Sequence, residues 1–124
     1  MKHNDKVRLR TGVEVSRLSL GTAALGGLYT SVSDADSTDT VLAALDSGIN
    51  FIDTAPLYGK GTAEVRIGKA LAGRDRSTFV ISTKIGRLLV PSTTDIDDFF
   101  MDADNTVKIQ FDFSARGVRQ SLEG

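Results

Sequence analysis

Cysteine and tryptophan are absent from the 124 residues, and the chain holds one His and two Pro. Without cysteine there are neither disulfides nor thiolate metal ligands, and a reducing compartment is the natural expectation. Long apolar runs are missing too. Nothing approaches the roughly 18 residues of a membrane span. The charged start, Met1 to Arg8, has no apolar core behind it as a signal peptide would, so a cytoplasmic location is expected. Neither sign of charge dominates: 15 Lys+Arg stand against 16 Asp+Glu and are interspersed with them. That mixture offers no basic stripe, so neither nucleic acid nor a membrane surface is an expected partner. The length allows one ordinary domain and excludes a complete (β/α)8 barrel, which needs roughly 200 residues or more. With 40% hydrophobic and 25% charged residues, the chain reads as globular.

What is present is a regular alternation of periods. Val7 and Leu9, then Val13 and Val15, alternate with polar residues around Thr11-Gly12, which predicts a hairpin over Val7 to Leu18. A short strand, Leu18 to Thr22, runs into the glycine-rich stretch Gly21 to Gly27. Val41, Leu42 and Leu45 recur at helical spacing between Asp36 and Ser47, with Ser33, Asp34 and Asp36 as capping groups and Gly48 as the stop. Ile49 to Asp53 is a buried strand. Gly61 to Leu71 is a second helix, with Val65, Ile67, Ala70 and Leu71 as its apolar positions, and Thr78 to Lys84 is a third strand. Strand, helix, strand, helix, strand implies an α/β fold paired in parallel through right-handed crossovers. Residues 87–113 then break the rhythm with an acidic loop and an added strand. No Lys or Arg occurs from Leu88 to Val107, whereas Asp95, Asp97, Asp98, Asp102 and Asp104 cluster there. Val107 to Phe113 alternates as a half-buried strand, and Ser114 caps a last helix from Ala115.

In parallel α/β folds the reactive groups gather at the carboxyl edge of the sheet. Asp53 closes the second strand there, Tyr58 follows in its loop, and Lys84 closes the third. Side chains alternate along strands that lie about 4.8 Å apart, so Asp53 and Lys84 fall on one face within ion-pair reach. An ordinary phenol, with a pKa near ~10, is a poor acid at neutral pH. An ammonium beside it stabilises the phenolate and eases proton donation to a developing alkoxide. The chemistry implied is hydride addition to a carbonyl, or its reverse, with the hydride supplied by a cofactor. Taken singly, each residue has a plainer reading: Asp53 caps a turn, Tyr58 packs across a loop, and Lys84 is a solvated strand end.

Gly21-Thr22-Ala23, Phe51-Ile-Asp53-Thr-Ala-Pro-Leu-Tyr58-Gly59, Gly61-Thr-Ala-Glu64 with Ile67-Gly68, and Ser82-Thr-Lys84 occur in that order. Together they resemble the N-terminal portion of the aldo-keto reductase superfamily, most of all its fucose/galactose and pyridoxal dehydrogenase branch. The resemblance runs over residues 5 to 124 and makes the whole chain, 1–124, the N-terminal part of such an NADP-dependent oxidoreductase domain. It implies a partial TIM (β/α)8 barrel: a hairpin plus about three β/α units, left incomplete. It also implies Asp53, Tyr58 and Lys84 as catalytic residues, with Tyr58 as general acid. Gly21, Thr22, Ala23 and Asp53 would meet the nicotinamide end of NADP or NAD, and the substrate would be a sugar or small carbonyl. The fourth catalytic residue of that family, a His after the next strand, has no counterpart; the one His, His3 in the tail, is assigned no role.

Neither a Gly-x-Gly-x-x-Gly nor a Gly-x-x-x-x-Gly-Lys-[Ser/Thr] motif is present to hold phosphates. Asp102, Asp104 and Thr106 suggest the start of an EF-hand, but the Gly and terminal Glu that its loop needs are missing, so a solvated loop or lid is expected instead. Three parallel strands cannot close a barrel. They leave open edges through which the chain could self-associate. The alternative to an oxidoreductase is therefore a non-catalytic half-barrel, an interaction module or relic.

Overall fold

The computed structural model describes residues 2–123. The N-terminal hairpin pairs β1 (Lys6–Arg8) with β2 (Glu14–Ser16) antiparallel, Val7 opposite Val15. Gly12 turns the chain at a φ of +87°, which glycine adopts without strain. Asn50 fastens this hairpin beneath the next sheet: its Oδ1 accepts from Ser16 N at 2.7 Å, and its N donates to Ser16 Oγ at 3.1 Å.

Three parallel strands follow: β3 (Leu20–Gly21), β4 (Phe51–Asp53) and β5 (Val80–Ser82), side by side in that order. Gly21 lies level with Asp53, and Asp53 with Ser82. The crossovers are α1 (Asp34–Asp46) and α2 (Thr62–Leu71), which pack on each other and on the sheet. Leu25, Val41, Ile52, Ala63, Ile67 and Phe79 form the core between them. Ser33 caps α1 by accepting from Asp36 N at 3.0 Å, and Asp34 and Asp36 in the first turn suit the positive end of the helix dipole. On α2 the expected apolar Val65 points to solvent, and the buried position beside it belongs to Arg66. The strands are also shorter than the sequence suggests. Thr78 lies in a 3-10 turn capped by Asp75, and Lys84 lies two residues past the end of β5.

The largest correction concerns residues 87–113. The segment is a hairpin rather than a loop with one strand: β6 (Arg87–Pro91) pairs antiparallel with β7 (Val107–Phe111), Leu89 opposite Ile109, in a sheet of their own. Arg87-Leu-Leu-Val-Pro91 has no alternation and ends in a proline, so nothing local announces a strand. The pairing with β7 creates it. The hairpin leads into α3 (Ala115–Glu123). The three parallel strands form no closed barrel among the described residues, and no helix there is long and apolar enough to cross a membrane.

The acidic connection between β6 and β7 is largely exposed, as a solvated loop would be, but it is tied to the rest of the fold at several points. Asp102 accepts from Arg66 Nη1 at 2.8 Å and from Val32 N at 2.8 Å, and its carbonyl accepts from Thr62 Oγ1 at 2.8 Å. Asp95 Oδ2 lies 2.8 Å from Lys60 Nζ, whose side chain is only 3% exposed. Backbone bonds run from Met101 N to Gly27 O, Tyr29 N to Phe99 O, and Asp104 N to Gly59 O. Burial alone would raise the Asp102 carboxyl, but hydrogen bonds from Ser31, Val32 and Arg66, with the Arg66 charge, outweigh it and hold the group below its ordinary value.

Two expectations follow. A Cβ on Gly26 would come within 2.5 Å of the Tyr58 carbonyl carbon, whereas one on Gly21 would meet nothing within 4 Å. Gly26→Ala should therefore destabilise the fold by about 1–3 kcal/mol in urea unfolding, and Gly21→Ala should change it far less. Asp102 contributes its full stabilisation above pH 3.8, the value of a free Asp, and loses it as pH falls through the lower folded-state value. Unfolding free energy measured against pH should decline over that acid window, and less steeply in Asp102→Asn.

Candidate active site

The carboxyl edge of the parallel sheet is built by register. Because Asp53 ends β4 level with Gly21 and Ser82, the residues that leave all three strands meet at one rim. Thr22 is fully buried there; its N and Oγ1 both donate to the Asp53 carbonyl, at 3.1 and 2.9 Å. Its side chain therefore ties the end of β3 to the end of β4 and presents no free polar group at the rim. Beside it Gly21 is exposed, with open space where a side chain would stand, and Ala23 is half-buried.

Lys84, two residues beyond the end of β5, reaches the rim with its side chain. Its Nζ donates to Asp53 Oδ2 at 3.0 Å and to the Thr54 carbonyl at 2.9 Å. The same ammonium lies 5.4 Å from the centre of the Tyr58 ring. The hydrogen bond to Asp53 is the main reason that Lys84 is held above the ordinary lysine value. Partial burial works against that, and the charges of Asp53 and the Tyr58 phenol add to it. Asp53, Tyr58 and Lys84 are thus brought together, with both charged side chains still open to solvent, 36% and 51% exposed.

Tyr58 is fixed by what surrounds its backbone. Its N donates to Ala55 O at 3.0 Å, and its carbonyl accepts from Ala63 N at 3.1 Å at the start of α2. Gly59, Lys60 and Gly61 follow with φ of +65°, +50° and +93°, three left-handed residues in succession. Glycine accepts this freely, whereas a lysine costs roughly 1–2 kcal/mol. Its buried ammonium pairs with the half-exposed Asp95, which holds Lys60 there.

Two residues at the rim were assigned no role by the sequence reading. Glu64 accepts from Thr83 Oγ1 at 2.6 Å, joining α2 to the residue before Lys84. Phe100 is buried, with its ring 6.2 Å from that of Tyr58 and tilted by 35°. The first was visible only as part of a motif, and the second lies 42 residues away with no periodic signal. Among the described residues no three His, Cys, Asp or Glu side chains gather as a metal site.

Asp53→Asn removes the strongest influence raising Lys84. The amine should then titrate at lower pH, and be acylated faster at a fixed alkaline pH, which mass spectrometry of the labelled peptide measures.

The profile of the Aldo/keto reductase family matches residues 17–124. D-threo-aldose 1-dehydrogenase of a Pseudomonas species is 36% identical over 98% of this chain and 39% of its own length. Pyridoxal 4-dehydrogenase of Microbacterium luteolum is 38% identical over 99% of this chain and 39% of its own. The chain thus spans about two-fifths of the curated relatives it matches. Among solved structures, a glycerol dehydrogenase from Gluconobacter oxydans superposes with a TM-score of 0.70 at 33% identity, covering 98% of this chain and 35% of that one. An aldo-keto reductase from Klebsiella pneumoniae in complex with NADPH gives 0.53 at 30% identity, covering 66% of this chain and 28% of its own. With the rim residues in place and the family profile matched across most of its length, this chain belongs to the aldo/keto reductase family.

Proposed function

We propose that the protein to which this rim belongs carries out NAD(P)-dependent hydride transfer between a small carbonyl or sugar substrate and the corresponding alcohol. The observation that carries this reading is the single ammonium, on Lys84, shared by the Asp53 carboxylate and the face of Tyr58. In the reducing direction a nicotinamide cofactor held beside Gly21, Ala23 and Asp53 would supply the hydride for the carbonyl carbon. Tyr58 gives its phenolic proton to the carbonyl oxygen, and the positive charge of Lys84 stabilises the phenolate left behind. Asp53 keeps Lys84 charged and aimed. In the oxidising direction the phenolate takes the hydroxyl proton back.

The residues present fit the reactive end of such a cofactor. The open space over Gly21, next to Ala23 and the exposed Asp53 carboxylate, leaves room for a flat ring to approach the rim, while Thr22 holds the strand ends beneath it. The Klebsiella relative is described as an NADPH complex, and the Pseudomonas and Microbacterium relatives are named as dehydrogenases of an aldose and of pyridoxal. These names favour a nicotinamide cofactor and a polar carbonyl compound as substrate. A second reading, a non-catalytic module that associates through its strand edges, is favoured by the outer edge of β5, which has no partner strand among the described residues. Saturable NADPH or NADH binding to this chain would count against it.

In the protein that turns over, Tyr58→Phe should lower kcat by about 10²–10⁴-fold while cofactor affinity changes little. Steady-state kinetics with cofactor-fluorescence titration checks this, and a kcat within about tenfold of the parent would remove Tyr58 as the proton donor.

A further inference from the structure

The acidic connection between β6 and β7 makes more contacts with the loop carrying Tyr58 than a passive insertion requires. Leu28 and Phe100 form an isolated antiparallel bridge, so the connection continues the backbone that leads out of β3. That bridge directs Phe100 inward against the Tyr58 ring, whereas Phe99 and Met101 on either side of it stay exposed. Two cations from the Tyr58 loop and α2 then lock the connection in place: Lys60 binds Asp95, and Arg66 binds Asp102. Arg66 donates also to Asp34, to the Leu25 carbonyl and to the Val32 carbonyl, so four of its five N–H groups are engaged. A mobile lid would carry few buried contacts and many solvated ones. Most residues of this segment are exposed, but buried Phe100 and the pairs Lys60–Asp95 and Arg66–Asp102 anchor it to the fold.

We propose that the acidic connection is a positioning element for Tyr58, with Phe100 bracing the phenol ring and the Arg66–Asp102 pair holding Phe100 in place. The proposal rests on the reading of Tyr58 as the proton donor, for which the orientation of the ring decides whether the hydroxyl meets the substrate oxygen. Misplacement of a reacting group by about 1 Å costs about 10²-fold in rate. Phe100 and Asp102 touch neither substrate nor cofactor in this scheme and act through the ring they hold.

The composition supplies a direct readout that needs no turnover. The chain has two tyrosines and no tryptophan, so Tyr29→Phe leaves Tyr58 as the sole source of tyrosine near-ultraviolet circular dichroism. A ring held in one asymmetric environment gives a strong band, and a freely rotating one gives almost none. In the 124-residue chain carrying Tyr29→Phe, Phe100→Leu and Asp102→Asn should each lose most of that band while the far-ultraviolet helix signal is kept. Asp98→Asn, the same change of charge on an exposed residue of the same segment, should leave both unchanged. A purely structural role would lower the melting temperature without changing the band of the folded variants. Full retention of the band in both folded variants overturns the proposal. So does failure of both to fold, because the segment would then belong to the global core and not to the ring alone. If Asp102→Asn alone fails to fold, Phe100→Leu decides. Loss of the band together with a Tyr58→Phe enzyme of normal kcat would remove the catalytic reading and leave the bracing intact.

Discussion

Where the 3-10 turn Ala23–Gly26 after β3 meets the loop after β4, two backbones touch with no side chain between them. Gly26 and Gly59 each lie so close to the other segment that a Cβ on either would fall within 3 Å of backbone atoms. This contact sets the height of the Tyr58 loop above the sheet. The Asp53–Lys84 pair depends on strand register, but its relation to the phenol depends on that height. Interiors are packed too densely to absorb an extra methyl at such a point. The left-handed run from Gly59 to Gly61 follows from the same constraint, since the chain must reverse at once to begin α2.

Charge in this molecule is spent mainly on holding segments together. Arg66 and Asp102 are largely buried, 10% and 13% exposed, and such a pair offers little net stability over a well-packed apolar alternative. Breaking it is costly, because the remaining partner is left charged and desolvated. The pair therefore selects one arrangement of the acidic connection. The even balance of acids and bases in the composition conceals this local matching: an acidic stretch without a single cation docks onto two cations supplied by another part of the chain.

The parallel sheet and the convergence of Asp53, Tyr58 and Lys84 were legible because local rules fix them. Alternation places Asp53 on a known face, glycines mark the ends of helices, and βαβ handedness sets the strand neighbours. The β6 strand was illegible because its pattern is uniform and its partner lies across a long connection. Arg66 and Lys60 were illegible for a related reason. A charged residue on a helix or in a turn reads as solvated until the acid that neutralises it is known to be nearby. Phe100 could be seen as apolar, but its burial depends on the bridge to Leu28, which no short-range pattern encodes.

The hairpin is closed at its base by a hydrogen bond from Asp112 N to Gly86 O, 3.0 Å long, and α3 is fastened there by Gly86 N donating to Ser121 Oγ. The excursion thus leaves and returns at nearly one point, between the residues just past Lys84 and the start of α3. An ornament joined by a clasp of this kind can lengthen, shorten or change its chemistry while the route from strand to helix stays the same. Sequence change in the excursion could then proceed without moving the Lys84 amine from its place beside Asp53.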